Sequence, residues 1–542
     1  VDNVNSNVAA LSKLEEIVQL ALDNLNVPNA NCTNKLGIYI FSTGQGGQAT
    51  CRYLLTNYVS NNHKYYIRGF LDNNPRKRVS TVTGFTVFSP HNAIIDGDDI
   101  IIIASLNYCY DMKKQLLERG IKAEQIILPG NWLTRILAIN KQLPSLKYPV
   151  NKLDSEKIYE TYIMNLIRSA SEKSKDFIDD DPYLKVDLTE QDVKLIAFYL
   201  PQFHSIPEND SWWEKGFTEW TNVTKTVPQY NGHYQPHFPT DLGFYDLRNI
   251  GIMKRQVEMA KQYGIYGFCF YHYWFAGQRL LETPVNNFLK HKELVYPFCL
   301  CWANENWTRR WDGLENEILI SQNHSEEDDL AFIEDAARYF KSKRYIKIQG
   351  RPLFIVYRPL LFPDPEKTIK IWKEYCRQMD IGDLFVAGIK GFGLEQNDIY
   401  GLDALIEFPP FGFYSQDITD SVMLMNSNFS GAIYDYNFCI NKDYLHKEKG
   451  LIFRGVMPGW DNTARRPDAA TIFHDSCPEK YQNWLENAIR FTKDKLPNEQ
   501  QFIFVNAWNE WAEGAHLEPD RKYGYGNLHA TAKALIKSRT RE

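Results

Sequence analysis

From residue 192 onward, short apolar runs alternate with longer stretches whose apolar positions recur at helical spacing. Eight runs read as strands: 195–200, 264–271, 296–302, 353–357, 384–389, 404–408, 451–457 and 502–506. Eight strands with intervening helices over roughly 350 residues predict an α/β fold, a (β/α)8 TIM-type barrel with long loops. Upstream the pattern differs. A helical periodicity over 9–25 precedes KLGIYIFSTGQGGQA, which reads as a buried strand, a glycine turn and a helix start. YYIRGFLDNNP then supplies a second strand ending at Asp72, and DDIIIIAS a third. The series predicts a Rossmann-like parallel α/β domain over 1–150. In that setting Gly44, Gly46 and Gly47 would let a phosphate approach the helix N-terminus, and Asp72 would hold a ribose hydroxyl, so a nucleotide or nucleotide sugar is a candidate ligand. The alternative is the same fold with an empty crevice. Between the two parts, 153–175 is helical in pattern. DFIDDDPYLKVDLTEQD after it is acidic and broken by Pro182, as a connector would be. The expected division is therefore 1–150, a linker 151–191, and a barrel 192–542.

Composition narrows the partners. The 542 residues exceed what one core organises, which again implies more than one domain. A formal charge of −6 gives no basic footprint for nucleic acid. Aromatic residues make up 14%, with 13 Trp and 32 Tyr, and such rings either fill cores or stack on sugar faces. Nine Cys lack any framework or zinc spacing, so they are expected to be reduced packing residues in a cytoplasmic protein without a structural metal. Cys299 and Cys301 are placed on one strand face by alternation. No apolar run approaches the ~20 residues of a membrane span, and the start VDNVNSNVAA has no secretory pattern. Oligomeric state is not legible.

Barrels of this kind carry their chemistry just past the C-terminal ends of the strands. There the first run leads to His204 and, through SWWEKGFTEW, to Trp220. The second ends on Tyr271 and gives way to His272, Tyr273 and Trp274. The third ends on Trp302 and continues through Asn304 and Glu305, the seventh leads to Trp460, and the eighth to Trp508, Asn509, Glu510, Trp511 and Glu513. Aromatic faces mixed with amides and carboxylates are what a sugar subsite needs, so all of these are candidate substrate contacts. Glu510 and Glu513, three apart after a buried strand, would project into one mouth and divide into an acid and a base, as glycoside cleavage requires. The competing reading makes them a helix-start cap. Glu305 either holds sugar hydroxyls or pairs with Arg309 or Arg310. His204 and His272 without a third ligand make no metal site. Arg465 and Arg466 beside Asp461 read as surface pairs before they read as an anion site.

The motifs LIAFYLPQFH, WWEKGFTEW, GFCFYHYWF, CWANENWTRRW, GRPLFIVYRP and AWNEWAEGAHLEPD resemble the WbsX-type family of bacterial polysaccharide-locus proteins, related to glycoside hydrolase family 99. The resemblance spans about Lys194 to Tyr525. It implies a retaining enzyme acting on α-linked, mannose-like units of a polysaccharide or oligosaccharide, with no required cofactor. The two Glu of the hydrolases' NEWxEG segment fall on Glu510, as the base that assists the substrate's own 2-hydroxyl, and on Glu513, as the acid/base. Ala512 stands where the hydrolases commonly carry His, which puts one substrate contact in doubt. The N-terminal part shares a GFLDNNP-like segment with bacterial sugar acyltransferases. The rival readings are a nucleotide-sugar-dependent glycosyltransferase of O-antigen or capsule assembly, and a non-catalytic glycan-binding protein.

Overall fold

The computed structural model describes parts of 36–128, the helical stretch 162–168, and 172–539 apart from 310–313, 395–399, 414–416, 427 and 441–449. The chain forms two compact units, residues 1–153 and 154–542. The expected helix over 9–25, with Gly44 and Gly46, lies outside the described residues.

In the first unit, β1 (Leu36–Phe41), β2 (Tyr65–Leu71), β3 (Phe85–Phe88), β4 (Ile100–Ile103) and β5 (Ile126–Ile127) form a parallel sheet in the order β3-β2-β1-β4-β5. Ile100 to Ile103 are all buried, as expected for a central strand covered on both faces. Gly47 stands at the helix start after β1, where an added Cβ would meet the Ser42 carbonyl oxygen at 1.9 Å. Only glycine allows that approach. Asp72 follows β2, and its backbone N–H donates to the Phe88 carbonyl.

The second unit is a closed barrel of eight parallel strands: β6 (Lys194–Tyr199), β7 (Gly267–Phe275), β8 (Phe298–Trp302), β9 (Arg351–Val356), β10 (Phe385–Lys390), β11 (Ala404–Glu407), β12 (Ile452–Val456) and β13 (Phe502–Val505). Each pairs with the next in sequence, and β13 returns to β6 with Phe502 opposite Lys194. The strands read as near-continuous apolar runs because one face fills the barrel and the other lies under helices. Cys299 and Cys301 are both fully buried packing residues.

The helices carry clear start signals. Helix α1 (Glu326–Phe340) is capped by the Ser325 hydroxyl accepting from Asp328 N. Helix α2 (Pro365–Gln378) is capped by Asp364 accepting from Lys367 N, with proline at its first position. Such caps contribute about 1 kcal/mol each.

Two expectations change. The acidic segment read as a connector is laced to the barrel: Ser174 N donates to Lys522 O, Val186 N to Gln262 O and Tyr525 N to Ile178 O. Val186, 3% exposed, is part of the barrel's apolar core. The isolated apolar positions among the acids are therefore anchors. The second strand also begins later and runs through HYWF, because Gly264 at φ +83° closes the preceding turn.

Candidate active site

The strand ends surround a cavity of about 620 Å³, within the usual range of ligand sites. Its wall includes Glu510 and Glu513 after β13, Arg465 and Trp460 after β12, Tyr271 and Tyr273 of β7, and Glu305 after β8. Trp213, Trp307, Tyr357, Phe392 and Phe411 add ring faces.

Arg465 organises the acids. Its Nη2 donates to Glu510 Oε2 at 3.0 Å, its Nη1 to Glu513 Oε1 at 2.5 Å and its Nε to Glu219 Oε1 at 2.8 Å. One guanidinium thus spans three carboxylates with three separate nitrogens, geometry a lysine could not supply. Glu219 is fully buried and Glu510 is 4% exposed. Burial pushes the Glu510 carboxyl up, Arg465 pulls it down, Glu513 and Glu219 push it further up, and it settles at about 8.

The turn that presents the pair is fixed locally. Trp511–Glu513 is a single 3-10 turn closed by Gly514 at φ +59°. The Asp461 backbone N–H donates to the Glu513 carbonyl at 2.6 Å. Asp461 is itself held by Gln235 and by His233, each 2.6 Å from its Oδ2. Burial alone would raise its carboxyl, but His233 and Thr463 outweigh burial and hold it at about 2. Below the turn, Glu518 accepts from Trp511 Nε1, Gln256 Nε2 and Tyr245 Oη at 2.6–2.8 Å, while burial raises it to about 7.

Of the barrel residues singled out from sequence, Glu510, Glu513, Glu305, Tyr271, Tyr273, Trp460, Arg465 and Arg466 line the cavity. The others do not. On β7 successive side chains alternate, so His272 and Trp274 turn outward. The His272 ring packs at 5.8 Å from Phe332, and Trp274 Nε1 donates to Asp328. Trp302 likewise stacks on Phe332 of α1 at 4.0 Å. Asn304 bridges two loops, donating to the Arg358 carbonyl and accepting from its N–H. His204 Nδ1 sits 3.0 Å from the Pro201 carbonyl, and burial lowers its pKa. Trp220 Nε1 donates to the Tyr245 carbonyl. Asn509 ties the eighth strand end to the first, accepting from Leu200 N and donating to Leu200 O. Trp508 and Trp511 are buried beneath the turn, and Ala512 is fully buried outside the cavity wall.

Glu305 pairs with Arg358 at 2.7 Å; the side chains of Arg309 and Arg310, its expected partners, lie outside the described residues. Arg465, read from sequence as a surface group, is the central cation of the site. Glu219, Trp213, Trp307 and Arg358 carried no decisive signal, although Trp213 and Glu219 both lie inside the quoted WWEKGFTEW motif.

The family model described as glycosyltransferase WbsX matches residues 195–531. The chain belongs to this family. Residues 34–127 match a second model, the C2185-like N-terminal domain. Proteins named WxcX from two strains of Xanthomonas campestris pv. campestris are 46% identical over 345 residues, which is 64% of this chain. The chain spans about half the length of these curated relatives, the matched part being 50% of each. Among solved structures, an endo-α-mannosidase of glycoside hydrolase family 99 from Bacteroides thetaiotaomicron aligns over 66% of this chain and all of its own, at 17% identity and a TM-score of 0.41. A glycoside hydrolase-like protein aligns over 66% of this chain and 98% of its own, at 13% identity and a TM-score of 0.42. Among the described residues, no helix is long and apolar enough to cross a membrane.

Proposed function

We propose that the barrel cleaves or transfers α-linked, mannose-like glycosyl units of a bacterial polysaccharide by a retaining mechanism in which Glu510 and Glu513 move the protons. The observation that carries this reading is the pair of carboxylates held on one guanidinium in the wall of an aromatic-lined cavity.

Glu510 takes the proton of the substrate's 2-hydroxyl as its oxygen attacks the anomeric carbon. The bond to the leaving oxygen breaks, and Glu513 delivers a proton to that oxygen. Water or a second sugar then opens the resulting anhydro ring with the protons returning by the same route. The internal nucleophile supplies a large effective concentration, so the protein needs only to orient and to shuttle protons. A pKa near the working pH suits Glu510 as a base, because it balances proton affinity against the ionised fraction.

The test is kinetic. Glu510→Gln and Glu513→Gln should each lower turnover by roughly 10²–10⁴-fold while glycan affinity stays near wild type. Wild-type turnover in both folded variants would remove the assignment. A second reading, nucleotide-sugar-dependent glycosyl transfer, is favoured by the family's name and by the parallel sheet of the first unit. It requires that products form only when a nucleotide sugar is present.

A further inference from the structure

We propose that His237, His516 and Asp520 form a binding site for a divalent cation of the zinc class, clamping the 233–237 loop to the segment that follows the active-site turn. Their candidate ligand atoms, one from each residue, all lie within 4.8 Å of one another. None of the three lines the catalytic cavity.

The hydrogen bonding around His516 sets its tautomer. Its Nδ1 lies 3.0 Å from the Glu518 backbone carbonyl, which can only accept, so Nδ1 carries the proton. The Nε2 lone pair is left facing His237 Nδ1 at 2.8 Å. A ring nitrogen fixed by a proton donated to a backbone carbonyl is the arrangement that orients metal-bound histidines. Packing holds both rings, His516 on Trp511 at 3.8 Å and His237 on Tyr234 at 4.2 Å.

Two imidazoles and one carboxylate match zinc better than calcium or magnesium, which prefer oxygen-only shells. Zinc bonds of about 2.0–2.2 Å would place these atoms roughly 3.3 Å apart, a distance small side-chain rotations can reach. His237 is only partly buried, leaving an approach for the ion and for a fourth ligand. Without a metal, the same two rings share one hydrogen bond by turning His237 to its Nδ1–H tautomer. The chain spacing hides the site, since His237 and His516 are 279 residues apart and the sequence offers no zinc pattern.

The full chain is stripped with a chelator and titrated with Zn²⁺ against a chromophoric competitor, with His237→Gln and Asp520→Asn in parallel and their folding checked by circular dichroism. The site predicts one Zn²⁺ per wild-type chain with a raised Tm, and binding weakened by roughly tenfold or more in each variant. X-ray absorption on the wild-type complex should show nitrogen and oxygen neighbours only. No uptake, uptake undiminished in both variants, or sulfur in the zinc shell would each overturn the proposal, the last by assigning the metal to cysteines.

Discussion

A carboxyl buried beside two others gives up its proton reluctantly, and Glu510 is in that position, with Arg465 only partly offsetting the cost. Its value near 8 stands above the ordinary 4.5, so the resting site keeps a proton on Glu510 through neutral pH. In the proposed role of base, Glu510 must lose that proton before it can act. The rate of hydrolysis, measured as kcat/KM, should therefore rise with pH through about 8, and Glu510→Gln should abolish that limb. A limb that falls through the same range would instead make Glu510 the acid. Arg465 invites a second test. Arg465→Met leaves buried Glu219 and Glu510 and half-buried Glu513 without their shared cation, and should cost about 3–5 kcal/mol in urea unfolding together with most of the activity. The pair of acids was readable because three residues on one turn after a buried strand share a direction. Arg465 was not readable, because an arginine beside an aspartate in a loop is ordinarily a surface pair, and only the folded chain brings it to Glu219, 246 residues away.

At the scale of elements, period decides which residues reach the site. In β7 the run FCFYHYWF sends Tyr271 and Tyr273 inward and His272 and Trp274 into the helix layer. The sequence held that alternation, but treating HYWF as a loop beyond the strand erased it. Trp302 was read as the end of the third strand, and the alternation of that strand turns it into the helix layer against Phe332. The turn after β13 depends on one glycine. A Cβ at Gly514 would come within 3.0 Å of the Asp461 Cβ and 3.1 Å of its backbone nitrogen, at a φ that other residues rarely adopt. Gly514→Ala is expected to cost about 1–3 kcal/mol in thermal or urea unfolding and to lower kcat more than it raises KM, because the displaced group is Glu513. An unchanged kcat would show that the turn tolerates the shift.

For the whole molecule, eight apolar runs sufficed to read the barrel, because every strand there is covered on both faces and a short continuous apolar run is hard to mistake when helices separate the runs. Closure of β13 onto β6 then follows from the architecture. What the runs could not convey is how the acidic segment before residue 192 uses Ile178 and Val186 to bind the barrel. In the proposed mechanism the paired acids of the barrel act on glycosidic bonds without an activated donor. Its most direct test is mass-spectrometric product analysis of the full chain with α-mannosides and bacterial O-antigen oligosaccharides, with and without nucleotide sugars. Shortened or redistributed glycans formed in the absence of any nucleotide sugar, and lost in Glu513→Gln, are the predicted result; glycan extension that strictly requires a nucleotide sugar would contradict it.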